Sequence, residues 1–266
     1  MNLASRCRPL VPAVLFVVAV TPFARSESNS PWRQLFNGRD LDGWLVKIHG
    51  HDLGDNYRDT YRVEDGLLKV RYDKYDEGDF GDRFGHLFYD ESFSHYHLAI
   101  EYRFHGDLMP SAPGYARLNS GVMLHAQDPR TILKGQDWPI SIELQFLARV
   151  GNGERATGNV CTPGTHVEYQ GELTKKHILP STGPTFDADE WVRIEAIVRG
   201  DRFTHLVNGE PVLEYSRPVI GGGVVSGHAP EEFIEGKPLT SGYIALQAEG
   251  NGLDVRKVEI RTLPKE

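Results

Sequence analysis

The segment from Pro139 to Leu147 alternates between apolar and polar residues with a period of two. Successive side chains on a β-strand point to opposite faces, so this alternation predicts a strand with one apolar and one polar face. The polar face carries Glu143 and Gln145. The apolar face is predicted to pack in the core and consists of Ile140, Ile142, Leu144 and Phe146.

A second strand is predicted from Asn119 to Gln127. Its apolar face carries Val122, Leu124 and Ala126. The opposite face is polar, apart from Met123, and carries Asn119, Gly121, Met123, His125 and Gln127. Side chains of Asn, His, Gln and Glu suit hydrogen bonding and proton transfer, so these two polar faces are the candidate functional surface.

Short alternating runs continue along most of the chain, with turn residues between them. Dipeptides such as Asp65-Gly66 and Asn208-Gly209 favour two-residue hairpin turns, and Gly200-Asp201 marks another turn. No apolar set recurs at helical spacing over a dozen positions. The pattern predicts about ten or more strands in an all-β, two-sheet antiparallel sandwich. We expect one domain over residues 30–266.

Composition and charge narrow the function classes. Hydrophobic residues form 39% of the 266 residues and charged residues 25%, values typical of a soluble globular protein. The formal net charge of −8 argues against a nucleic-acid partner, since phosphate binding requires a basic surface.

The N-terminus has the pattern of a secretory signal peptide. Arg6 and Arg8 precede a short apolar run from Val11 to Val20, and small residues follow near Ala24. Residues 1–25 are therefore predicted to be a signal peptide, and the apolar run is short for a membrane span. The mature protein is expected to be secreted or periplasmic, without a membrane span. It would keep only Cys161, so it has no internal disulfide.

Several segments, in this order, resemble the 3-keto-disaccharide hydrolase domain family. They are LFNGRDLDGW, YRVEDGLL, HLFYDESFSHYHLAIEYRF, NSGVMLHA, IELQ, TGNV and SGYIALQAEGNGLDVRKVEI. The resemblance covers about Trp32 to Leu263 and implies a jelly-roll sandwich of the concanavalin A, laminarinase and lectin type. After the E-x-Q motif the family usually has an Asp, where this chain has Phe146, Leu147 and Ala148.

The resemblance implies cleavage of a 3-keto-glycoside, in a disaccharide or another oxidised carbohydrate. The ketone acidifies the C2 proton, a general base removes it, the C1 group leaves, and water can add afterwards. This chemistry needs a base, an acid for the leaving group and a stabiliser of the enolate. We expect Glu143 and His125 to form the acid/base centre. A divalent metal held by the same two residues is an alternative stabiliser, although no short metal-binding motif is present.

The remaining site predictions concern substrate binding, and they come from position and residue type. The predicted substrate-binding residues are Asn119, Trp138, Gln145, His166 and Gln247. Ordinary glycoside hydrolysis requires two carboxyl groups, and Glu101 or Glu249 are the candidates to join Glu143. The alternative to an enzyme is a non-catalytic, lectin-like carbohydrate-binding sandwich, in which Trp138 and loop aromatics would bind the sugar.

Overall fold

The computed structural model describes residues 30–76 and 78–265, which form two antiparallel β-sheets packed face to face. The predicted signal peptide, residues 1–25, lies outside the described residues. Three single-turn 3₁₀ helices occupy Tyr57–Asp59, Gly114–Ala116 and Pro129–Thr131. No helix in the described ranges has the length and apolar character needed to cross a membrane.

The larger sheet has ten strands. They are β1 (Arg33–Gln34), β3 (Tyr61–Glu64), β4 (Leu67–Val70), β6 (His95–Leu108), β10 (Thr165–Tyr169), β11 (Glu172–Thr174), β13 (Val192–Arg199), β14 (Arg202–Val207), β15 (Glu210–Ile220) and β17 (Asn251–Thr262). Their order across the sheet is β11-β10-β15-β14-β13-β6-β17-β4-β3, with β1 paired to β17.

The smaller sheet has seven strands. They are β2 (Trp44–Ile48), β5 (Gly85–Phe93), β7 (Asn119–Ala126), β8 (Ile142–Leu147), β9 (Val160–Cys161), β12 (Ile178–Leu179) and β16 (Gly242–Ala248). Their order is β12-β9-β8-β7-β16-β5-β2. The two-sheet antiparallel sandwich predicted from the alternation is therefore confirmed.

Turn chemistry at the predicted hairpins agrees with the structure. Asp65 and Gly66 join β3 to β4, and both have positive φ, at 55° and 75°. Asn208 and Gly209 join β14 to β15 with φ of 50° and 85°. Positive φ at both central residues is the conformation whose twist matches that of the flanking strands, and it favours Asn-Gly and Asp-Gly sequences.

The core lies between the sheets and contains the apolar face of β8, as predicted. Ile142, Leu144 and Phe146 are almost completely buried, and the Phe146 ring stacks on Tyr102 of the larger sheet at 4.2 Å between centroids. Ile140 precedes the strand and joins a separate apolar cluster with Ile220 and Val225. The face of the smaller sheet that points away from the larger sheet is called the outer face below, and it carries Glu143 and Gln145.

We expect Phe146→Ala to lower the free energy of unfolding by about 3–5 kcal/mol, because it removes a buried ring and leaves a cavity between the sheets. Urea denaturation measures this change. Leu173→Ala is the control, because Leu173 is 56% exposed and its truncation should change stability by less than about 0.5 kcal/mol. Equal effects of the two substitutions would contradict the assignment of Phe146 to the core.

Candidate active site

A cavity of about 560 Å³ lies on the outer face of the smaller sheet, over β7, β8 and β9. Strand alternation brings its floor together, with Asn119 from β7, Glu143 and Gln145 from β8, and Cys161 from β9. Glu249, directly after β16, completes the floor. The walls come from loops and include Tyr115, Trp138, Arg155, Asn159 and His177.

Two buried carboxyl groups share this cavity. Glu143 is 6% exposed and Glu249 is 4% exposed. Burial raises the pKa of Glu143 well above its ordinary range, and the charge of Glu249 raises it further, while a hydrogen bond with the Cys161 thiol opposes the shift. Burial also raises the pKa of Glu249 to about 8, against the opposing effect of Arg155. Near neutral pH the pair therefore retains protons that exposed carboxylates would have lost.

A glycine makes room for one of these carboxyl groups. Gly121 is the neighbour of Gln145 across the β7–β8 pair and lies two residues before Met123, the neighbour of Glu143. A Cβ atom on Gly121 would lie 2.4 Å from Glu143 Oε1 and 2.6 Å from its Cγ. The Glu143 side chain therefore lies over the bare backbone of Gly121, and any larger residue there would displace it.

Hydrogen bonds between three amide side chains fix the floor beside the carboxyl pair. Asn159 Nδ2 donates to Gln145 Oε1 at 3.0 Å, and Gln145 Nε2 donates to Asn119 Oδ1 at 3.0 Å. The backbone amide of Ser181 donates to Asn159 Oδ1 at 2.9 Å. This chain sets the orientation of each amide and leaves the Asn119 nitrogen as the donor at its end.

Arg155 holds the loops around the cavity. Its Nη1 donates to the backbone carbonyls of Arg117 at 2.6 Å, Leu118 at 3.0 Å and Ala148 at 3.2 Å. The guanidinium group therefore ties the chain before β7 to the chain after β8. Its charge also lies close enough to oppose the raised pKa of Glu249.

Aromatic side chains form the rest of the wall. Trp138 is half-buried, and its ring lies 4.4 Å from that of Phe84, measured between centroids. Tyr115 is 56% exposed, and its partial burial together with the negative charge of nearby carboxylates, Glu249 foremost, raises its pKa to about 12. A half-exposed indole can stack on the apolar face of a sugar ring.

His125 does not lie in the cavity, so the prediction that it shares a face with Asn119 and Glu143 is wrong. Met123 of β7 lies opposite Ala245, and Ala126 lies opposite Tyr243, so Leu124 and His125 together oppose one residue of β16. His125 has φ of 48° at this β-bulge. The extra residue reverses the alternation, and the fully buried imidazole points into the sandwich.

The contacts of His125 are structural. Its Nε2 lies 2.7 Å from the carbonyl oxygen of Gly200, and its ring meets Tyr96 and Phe203, all in or next to the larger sheet. Burial lowers the pKa of His125 to about 4, so the imidazole is neutral at physiological pH.

The other predicted site residues divide into two groups. Asn119, Trp138 and Gln145 line the cavity with Glu143. Gln247 lies on the outer face of β16 but is 1% exposed and is not part of the cavity wall. His166 lies in β10 of the larger sheet, where its ring packs on Gly221, and it is absent from the cavity lining.

The suggested metal site does not fit the arrangement of residues. His125 and Glu143 point to opposite sides of the smaller sheet, so the two cannot bind one ion. Within residues 30–76 and 78–265, no three His, Cys, Asp or Glu side chains come together as metal ligands.

Glu249 is the carboxyl group that pairs with Glu143, whereas Glu101 has another role. Glu101 lies on β6 of the larger sheet, where its Oε2 accepts a hydrogen bond from Arg256 Nε at 2.6 Å. Glu249 follows Gln247 by two residues, so alternation along SGYIALQAEG indicates that both point outward. Glu249 reaches Glu143 because β16 pairs with β7. These strands are far apart in the sequence, so no local sequence pattern predicts that the two glutamates meet.

A groove of about 1060 Å³ on the larger sheet, over β13, β14 and β15, has different chemistry. Its carboxylates include Glu168, which pairs with Arg217 at 2.6 Å, and the exposed Glu214. It brings together no pair of buried carboxyl groups among its lining residues. The smaller cavity with Glu143 and Glu249 is therefore the better candidate for catalysis.

The two-sheet antiparallel sandwich has the concanavalin A-like fold. The sequence matches the 3-keto-alpha-glucoside-1,2-lyase-like domain over residues 31–261, and the chain belongs to this family. A search of curated proteins finds no match.

Solved structures with the same fold include a candidate glycosyl hydrolase and two proteins solved with bound oligosaccharides. A candidate glycosyl hydrolase from Parabacteroides distasonis is 17% identical, with a TM-score of 0.51 over 88% of this chain and 94% of its own. LamA from Z. galactanivorans, solved with laminaritriose and laminaritetraose, is 11% identical, with a TM-score of 0.52 over 87% and 98%. The exoplasmic/lumenal domain of VIP36, in its Ca²⁺- and glycan-bound form, is 10% identical, with a TM-score of 0.50 over 89% and 92%.

We expect Gly121→Ala to displace the Glu143 carboxyl group, because the new Cβ would lie 2.4 Å from Oε1 where ordinary contacts begin at 3.4 Å. A crystal structure of the variant should show a shift of about 1 Å in the carboxyl position. Gly135→Ala is the matched control, because nothing lies within 4 Å of its added Cβ. An unmoved Glu143 in Gly121→Ala would show that Gly121 does not set its position.

The buried pair should make the protein less stable as the pH rises. The folded state raises the Glu249 pKa from 4.5 to about 8, so between these values the folded chain binds more protons than the unfolded chain. Stability is therefore lost as the pH rises through this window. Glu249→Gln should gain stability relative to the parent, by on the order of a few kcal/mol at about pH 9.

Thermal melting at about pH 5 and about pH 9 measures this difference. The exposed Glu172→Gln is the control and should leave the pH dependence unchanged. If Glu249→Gln loses stability with rising pH as steeply as the parent, Glu249 is not the group with the raised pKa.

Proposed function

We propose that this protein is an enzyme that cleaves 3-keto-glycosides by removing the proton at C2 and expelling the group at C1. The observation that carries the proposal is the buried pair of Glu143 and Glu249 in one sugar-sized cavity. Family membership supplies the substrate class. A pair of interacting carboxyl groups with raised pKa values is a common feature of acid/base sites.

Glu249 is the proposed base and Glu143 the proposed acid. Burial raises both pKa values, but Arg155 favours the ionised form of Glu249, whereas a charged Glu249 favours the protonated form of Glu143. One proton is therefore lost from the pair before the other, and Glu249 is the group that ionises first. The result is a carboxylate and a carboxylic acid side by side.

The proposed reaction proceeds through an enolate. Glu249 takes the C2 proton, which the neighbouring ketone acidifies, and the electron pair of the C–H bond forms the enolate. The C1–O bond then breaks, its electron pair stays on the leaving oxygen, and Glu143 donates a proton to that oxygen. Water can add to the unsaturated product afterwards, which makes the net reaction a hydrolysis.

The remaining cavity residues bind the sugar in this proposal. The amide chain through Asn159, Gln145 and Asn119 presents fixed hydrogen-bonding groups to sugar hydroxyls, and the Asn119 nitrogen is a donor for the developing negative charge. Trp138 provides the apolar surface for the sugar ring. Burying two carboxyl groups without ion-pair partners is costly, so the pair supports an enzyme rather than a lectin.

Ordinary glycoside hydrolysis is the second candidate, and the same carboxyl pair favours it. One carboxylic acid and one carboxylate flanking a glycosidic bond can cleave it without a ketone. The two candidates differ in substrate, since only the enolate route depends on the 3-keto group. Parallel assays on a 3-keto-glucoside and on the unoxidised glucoside distinguish them.

We expect Glu143→Gln and Glu249→Gln each to lower kcat on a 3-keto-glucoside by about 10²–10⁴-fold, the usual contribution of a general acid or base. Both replacements keep the side-chain shape. Glu101→Gln is the control and should keep nearly full activity, because Glu101 lies on the larger sheet among arginine partners. Product release measures the rate, and a melting curve for each variant verifies that it is folded.

Near-full activity in Glu143→Gln or Glu249→Gln would overturn the assigned role of that residue. The pH dependence gives a second check. If Glu249 is the base, kcat/KM should increase as the pH rises toward and through about 8. A rate that does not change across this range would contradict that role.

A further inference from the structure

A row of polar side chains crosses the smaller sheet beneath the cavity. Lys47 of β2 lies opposite His86 of β5, and His86 lies opposite Gln247 of β16. Leu246, the residue before Gln247, pairs with Val122 of β7, and continuing that register places Gln247 beside Gly121. All these side chains belong to the outer face, because Val46, Leu87 and Leu246 next to them pack in the core.

The Gln247–His86 part of this row is buried without its full set of hydrogen bonds. His86 is 3% exposed and Gln247 is 1% exposed. Within the described part of the chain, neither His86 Nε2 nor Gln247 Oε1 has a hydrogen-bond partner. Oε2 of Glu249, two residues after Gln247 on the same face, also has none. Buried polar atoms nearly always have a partner, so three such atoms in neighbouring positions indicate a bound group.

We propose that His86 and Gln247 form a binding site for a hydroxyl group, held between them and next to the Glu143–Glu249 pair. The hydroxyl belongs either to an ordered water molecule or to a substrate sugar. Gln247 offers an acceptor oxygen, and the His86 nitrogen can donate or accept according to its tautomer. A hydroxyl group, which both donates and accepts, satisfies both atoms.

The electrostatics favour a neutral ligand. Burial lowers the pKa of His86 to about 3, and the charge of Lys47 adds to this effect, so the imidazole is neutral. Lys47 itself donates to the carbonyl oxygen of His51 at 2.6 Å, and burial lowers its pKa. The positive charge of Lys47 repels a cation bound at this site. The Lys47 ammonium group is already hydrogen-bonded to the backbone, so it is not available to bind an anion.

The position links this site to the proposed chemistry. The Glu143 side chain lies over Gly121, which is beside Gln247. Glu249 follows Gln247 by two residues, directly after β16. A hydroxyl group held by Gln247 would therefore lie on the same face of the smaller sheet as both carboxyl groups. Its assignment to a substrate sugar rests on the proposed function, whereas its existence as a water site does not.

The test is a crystal structure of the intact protein at a resolution that shows ordered water, with and without a soaked 3-keto-glucoside. We expect one oxygen atom within about 3.2 Å of both His86 Nε2 and Gln247 Oε1. An oxygen that persists in the soaked crystal identifies water, and its replacement by a sugar hydroxyl identifies the substrate. His205 is the internal control, because its two nitrogens already contact Gly158 and Tyr215, so no oxygen is expected there.

Two substitutions test the contribution of the imidazole. His86→Gln retains a hydrogen-bonding group near the Nε2 position and should keep the bound oxygen, whereas His86→Leu should lose it. The proposal is overturned if the unsubstituted protein has no such oxygen in either crystal. It is also overturned if the density is that of a metal ion and disappears with a chelator. Inactivity toward 3-keto-glucosides would contradict the proposed function but would leave the water site testable in the unsoaked crystal.

Discussion

The burial of two carboxyl groups against each other is the constraint on which the site depends. Removing a carboxylate from water is unfavourable unless it is protonated, ion-paired or strongly hydrogen-bonded. Among residues 30–76 and 78–265 neither Glu143 nor Glu249 has an ion-pair partner, and Arg155 acts on Glu249 only through its charge. The sandwich must therefore supply enough stability from its core to hold a polar arrangement that is unfavourable in itself. The long strands and the extensive apolar cluster between the sheets provide that stability.

The two faces of the smaller sheet differ in role because side chains alternate along each strand: one face packs in the core and the other lines the cavity. Along β8, residues that pack in the core alternate with residues that face the cavity. The same strand therefore contributes to both the core and the candidate site. Leu144 between Glu143 and Gln145 illustrates this, since it is buried against the larger sheet while its neighbours line the floor. The position of the carboxyl group is thus set by the rigidity of the core directly beneath it.

Local pattern predicted the faces of β8 correctly because that strand is regular. The same reasoning was wrong for His125, since one extra residue in β7 reverses the alternation and a bulge has no signature in the period of two. The pairing of Glu249 with Glu143 also could not be predicted from the local sequence pattern, because it depends on the register between β16 and β7. His166 was predicted to bind substrate from its residue type and position, but it lies in β10, next to the edge strand of the larger sheet.

Gly121 has a consequence for the way this fold can change its function. The Glu143 side chain occupies space that is free only because Gly121 has no side chain. A single methyl group added at position 121 would therefore alter the site without changing the core. A descendant chain could keep every strand of the sandwich, retain both glutamates, and still have lost the geometry of the pair. The bare backbone at position 121 therefore constrains the geometry of the site as directly as the two glutamates do.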